Sequence, residues 1–92
     1  MTETLRRTVE ICNARGLHAR ASAKFVQTVE RFNATVRVSR NGETVGGSSI
    51  MGLMMLAAGI GTTIHVAAEG PDAKEALAAL TALVENRFGE EE

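Results

Sequence analysis

The apolar residues of this 92-residue chain switch repeatedly between two periods. That switching constrains the fold more than any other feature. A period of two puts one face of a strand on a core, and a period near 3.6 does the same for a helix. Leu5, Arg7, Val9 and Ile11 alternate with Arg6, Thr8 and Glu10, which predicts a first strand with Val9 and Ile11 inward. "NARG" breaks the pattern. From Ala19 to Phe32 the period becomes helical, with Phe25, Val29 and Phe32 at i, i+4, i+7 and Asn33 closing the run. "TVRVSRNGETV" then reads as a hairpin turning at Asn41-Gly42, because both residues tolerate positive φ. After "GGSS" comes a short helical run, "IMGLMML", opened by a serine cap. "TTIHVAAE" is a fourth strand with Ile64, Val66 and Ala68 on one face. Gly70-Pro71-Asp72 opens a last helix over Ala73–Phe88, and Gly89 stops it. The order is βαββαβα. An α+β fold is expected, with a four-stranded antiparallel sheet and three helices on one face. One domain is expected over residues 1–89, with 90–92 as an acidic frayed tail.

Size and charge exclude several functions. A chain of this length buries roughly 60–65% of its unfolded surface, enough for one core. It has no room for separate cofactor and substrate domains. A net charge of −1 and the absence of Trp and Tyr argue against nucleic-acid partners. The one cysteine, Cys12, permits no internal disulfide, which fits a reducing compartment. "MTETLRRTVE" holds no apolar run of signal-peptide length, and Ile50–Ile60 is too short to span a bilayer. A cytoplasmic monomer with no membrane, metal or cofactor requirement is expected.

The chemistry concentrates in "GLHARAS", residues 16–22. If a helix begins at Ala19, His18 stands at its N-cap, beside amide groups that have no helical acceptor and about half a positive charge. A histidine ring there can act as a nucleophile near neutral pH. A phosphoryl group attached to it would lie at a natural anion site. Arg20 falls in the first turn, where the helix dipole disfavours a cation by roughly 0.3–1 kcal/mol. A residue placed against such a local rule points to function, here bidentate pairing with phosphate oxygens. Arg15 could supply a second cation. The plainer alternative, a polar residue near a turn with an exposed arginine beside it, stays open on these residues alone.

Other residues carry two readings each. Ser48 and Ser49 before the second helix are an N-cap with a polar neighbour, or include a phosphorylatable serine. Ile50, Met51, Leu53, Met54, Met55 and Leu56 are too many apolar residues for one face of a short helix. Leu53 and Leu56 are assigned to the core. The others are either core or a docking patch, to which methionine is well suited. His65 is out of phase with Ile64 and Val66 and is expected to face solvent.

"GLHARAS" followed by "SSIMGLMML" resembles the HPr family, histidine-containing phosphocarriers of the bacterial phosphoenolpyruvate-dependent phosphotransferase system. The resemblance covers nearly the whole chain and implies an open-faced sandwich. It implies that His18 is phosphorylated on Nδ1 by enzyme I and that Arg20 is the active-site arginine. Ser49 matches the regulatory serine phosphorylated by HPr kinase/phosphorylase. Ile50, Met51 and Met54 match the docking patch for enzyme I and IIA-type acceptors. Two positions depart from the family pattern. Ala21 stands where proline is usual, and Arg15 stands where Asn or Ser is usual. The pattern is similar to an alphaproteobacterial branch that serves a nitrogen-related regulatory chain. An alternative is a binding module controlled through Ser49 without carrier turnover.

Overall fold

The computed structural model describes residues 3–90. Strand β1 (Leu5–Glu10) leads to helix α1 (Ala19–Val29), the hairpin β2 (Thr35–Arg40) and β3 (Glu43–Gly46), helix α2 (Ile50–Met55), strand β4 (Thr63–Glu69) and helix α3 (Ala73–Glu85). A 3-10 turn, Arg87–Gly89, follows. The strands form one antiparallel sheet in the order β1-β4-β2-β3.

Register follows from the alternation. Val9 pairs with Ile64, Val38 with Val66 and Val36 with Ala68, so the apolar residues of three strands share one face. A one-residue slip would turn all of them to solvent. Onto that face α1 lays Ala21, Phe25, Val26 and Val29, and α3 lays Ala73, Ala76, Leu77, Leu80 and Val84, all buried. His65, on the opposite face, is exposed and bonds to Thr8 Oγ1. The hairpin turns at Asn41 and Gly42 with φ of 52° and 82°, as the Asn-Gly pair requires. No helix among the described residues is long and apolar enough to cross a membrane.

Two helix ends differ from expectation. Helix α1 stops at Val29, because the next amides close i→i+3 bonds (Arg31 to Thr28, Phe32 to Val29) that tighten the chain out of the helix. Phe32 therefore lies outside it, half-buried under the Arg31 guanidinium. Helix α3 stops at Glu85. Phe88 still reaches the core, but from the separate turn after Asn86.

Candidate functional site

The loop before α1 is fixed by a close backbone approach. Gly16 has φ 64°, and a Cβ there would stand 2.3 Å from the Ala58 carbonyl oxygen and 2.8 Å from Gly59 Cα. Only glycine fits. Leu17 then donates its amide to Ala58 O at 2.9 Å and buries its side chain, while Ser22 Oγ donates to Leu17 O at 3.1 Å. These contacts hold the next residue, His18, at the N-cap of α1 with extended backbone (φ −72°, ψ 179°).

His18 makes no side-chain cap bond. Its carbonyl accepts the first helical bond, from Ser22 N at 2.8 Å. The amides of Ala19, Arg20 and Ala21 precede that bond and have no intrahelical acceptor. The first turn holds no acidic residue, and its one cation, Arg20, is exposed. Ala21 is fully buried and continues the helix.

An open cleft of about 310 Å³ lies beside His18 and is walled by Arg15, Leu17, Met54 and Ala57–Gly59. Ala57 turns the chain after α2 with φ 53°, a conformation uncommon for a residue with a Cβ. Through that turn Ala58 and Gly59 meet the His18 loop. The structure thus brings His18, Arg15 and Met54 to one cleft, with Arg20 on the first turn of the same helix.

Helix α2 starts differently. Ser49 is its N-cap, and its Oγ accepts from Gly52 N at 2.9 Å. Leu53 and Leu56 are buried, as their spacing predicts. Ile50, Met51 and Met54 are exposed, together with Met55 and Ile60 (69% and 60% accessible). The exposed apolar surface is therefore wider than the three residues singled out from sequence.

The largest correction concerns Glu90. The composition of "GEEE" places it in a frayed tail. Instead its carboxylate is anchored at both oxygens: Oε2 meets His18 Nε2 at 2.5 Å, and Oε1 accepts from Asn13 Nδ2 at 3.1 Å. The anchoring arises because Phe88 must return to the core, which carries the following residues back over α1. The hydrogen bond from His18 holds the Glu90 carboxyl below its ordinary range, against the opposing effect of burial; Asn13 and the charge of Arg15 act in the same direction as His18. Residues 91–92 of the expected tail lie outside the described residues. Asn13, fully buried and also donating to Gly16 O at 2.9 Å, was likewise not singled out. The available signal for both was Phe88, a large apolar residue just past a helix end.

Comparison with known proteins bears directly on this site. The family described as "PTS HPr component phosphorylation site" matches residues 5–86. The phosphocarrier protein HPr of Cupriavidus necator is 56% identical over 88 residues, covering 96% of this chain and 99% of its own. That of Neisseria meningitidis is 52% identical over the same shares. The crystal structure of HPr-C-His from Thermoanaerobacter tengcongensis superposes with a TM-score of 0.91 at 43% identity, covering 96% of this chain and 99% of that one. With a matched family description over nearly all of the sheet and helices, and relatives above half identity along their full length, this chain belongs to the HPr family of phosphocarriers of the phosphotransferase system.

Proposed function

We propose that His18 is the residue that carries the phosphoryl group, accepting it from a phosphohistidine of enzyme I and passing it to a histidine of a IIA-type acceptor. The observation that carries this reading is the uncapped start of α1. His18 stands beside three amides without helical acceptors, on the wall of an open cleft shared with Met54. In an in-line transfer there is little covalent chemistry for the protein to perform, so charge stabilisation and positioning dominate. The free amides and the Arg20 guanidinium would supply donors to the equatorial oxygens, and Arg15 would add charge at the cleft. Ile50, Met51 and Met54 would hold both partners against that cleft, bringing donor and acceptor to the same place in turn.

Ser49 is proposed as the regulatory site for HPr kinase/phosphorylase. Its hydroxyl is exposed at the edge of the docking surface. Phosphorylation there would add a charge of about −1.5 to −2 beside Ile50 and Met51. That charge would obstruct docking of enzyme I while leaving the fold intact. The reading of the chain as part of a nitrogen-related regulatory system rests on Arg15 and on the pattern "RGLHARAS…GGSSIMGLMMLAAG". Phosphocarrier protein NPr of Shewanella violacea is 41% identical over 86 residues, below the relatives named HPr above, so the choice of acceptor is a matter for direct assay.

The test is incubation with enzyme I and labelled phosphoenolpyruvate. Wild type is expected to take up one phosphoryl group per chain and His18→Ala none. Stoichiometric labelling of His18→Ala would overturn the assignment.

A further inference from the structure

The sequence "RFGEEE" after α3 offers one apolar anchor, Phe88, and the chain there adopts an unfavourable conformation. Arg87, Phe88 and Gly89 have φ of 55°, 54° and 78° in succession. Two of the three carry a Cβ that disfavours this region. Such a turn persists only where its surroundings fix it, and three contacts do so here. Phe88 is buried at 1% accessibility, Lys24 Nζ of α1 donates to Phe88 O at 2.6 Å, and Glu90 N closes onto Arg87 O at 2.9 Å. The product of the turn is the placement of one side chain. Glu90 reaches across to His18 Nε2, and Asn13 holds its second oxygen. The charged groups around this carboxylate are His18 and Arg15 of the loop, while Lys24 of α1 holds the turn itself at Phe88 O. The family match ends at residue 86, so it assigns Glu90 nothing.

An ionised carboxylate can only accept hydrogen bonds. The ring nitrogen facing it must then carry the hydrogen, and in a neutral imidazole the other nitrogen keeps its lone pair. We infer that Glu90 is a positioning residue for phosphoryl transfer: it holds His18 as the Nε2–H tautomer, so that Nδ1 is the nucleophile. The inference rests on His18 being the phosphoryl acceptor. In the transfer, the Nδ1 lone pair forms the new N–P bond while the N–P bond to the donor histidine breaks. The electron pair of that bond returns to the donor nitrogen. The positive charge the ring acquires is shared with Nε2–H, which stays bonded to Glu90, so His18 loses no proton. When the phosphoryl group moves on, its bonding pair returns to Nδ1.

The experiment uses the full chain with ¹⁵N-labelled histidine, as wild type, Glu90→Ala and Glu90→Gln. The ring ¹⁵N shifts of His18 are read alongside the rate of phosphorylation by enzyme I and phosphoenolpyruvate. Wild type is expected to show the Nε2–H tautomer. Glu90→Ala is expected to lose that preference and to slow transfer roughly 3–10-fold in kcat with KM for enzyme I unchanged. Glu90→Gln retains a carbonyl acceptor and is expected to recover most of both. A role in folding alone would move thermal stability and leave the ring shifts of the folded protein alone. Equal ring shifts and equal rates in wild type and Glu90→Ala overturn the inference while leaving His18 as acceptor. A wild type that takes up no phosphoryl group overturns the acceptor assignment, and this inference with it.

Discussion

Helices α1 and α2 pack against each other, yet they treat their free amides in opposite ways. At α2, Ser49 turns its oxygen onto Gly52 N and satisfies the helix start from within. At α1, the His18 side chain makes no cap bond and is drawn aside by Glu90, leaving the first amides open. An N-cap of the Ser49 kind contributes about 1 kcal/mol to stability, and α1 does without it. It also places Arg20 where the dipole disfavours a cation. The difference separates two uses of one local geometry. A helix start that is closed serves the fold, and one left open at a stability cost is available to an anion.

The strongest way to break this comparison is to give α1 the cap that α2 has. In the Glu90→Ala background, which already lacks the His18–Glu90 bond, His18→Ser should gain about 1 kcal/mol in chemical denaturation and lose all phosphoryl uptake from enzyme I. A capped variant that was less stable would mean that α1 is not short of a partner. Arg20→Ala should show the same opposition in milder form. Transfer is expected to fall roughly 10–100-fold, while stability rises by about 0.5 kcal/mol. Loss of both would make Arg20 structural.

Gly16→Ala sharpens the comparison from the side of the loop. A Cβ set 2.3 Å from Ala58 O, at φ 64°, should cost about 2–4 kcal/mol and displace His18 as well. Ser49→Ala should cost about 1 kcal/mol and leave transfer within about twofold, since the cap serves only α2. The smallest effect concerns Glu90. Its carboxyl is lowered from an ordinary value of 4.5 by the hydrogen bond from His18. The bond therefore adds its full stability above that value, and the contribution is lost as pH falls through the lowered native value. The stability difference between wild type and Glu90→Gln should shrink as pH falls below 4.5. A difference that grew below pH 4.5 would reverse the assignment of the charged form.

Sequence carried much of the fold because its signals are local. Alternation at Val9, Ile64, Val66, Val36 and Val38 sets the inner face of the sheet, and Asn41-Gly42 sets the hairpin register. The helix start at His18, the Ser49 cap and the burial of Leu53 and Leu56 were legible for the same reason. What sequence did not show was non-local. The i→i+3 bonds that end α1 before Phe32 compete with continued helix on small energy differences. Asn13 and Glu90 are 77 positions apart, and no periodicity links them. Polar residues after a glycine look the same whether they fray or dock. Only the return of Phe88 to the core decides between those outcomes.

The central claim is that the open start of α1 receives a phosphoryl group on His18. The most direct measurement is ³¹P–¹⁵N NMR of the histidine-labelled chain after incubation with enzyme I and phosphoenolpyruvate. A single N–P coupling to Nδ1 of His18 is the predicted result, with the ring proton remaining on Nε2. Phosphorus coupled to Nε2, found on His65, or absent from both histidines would contradict the account.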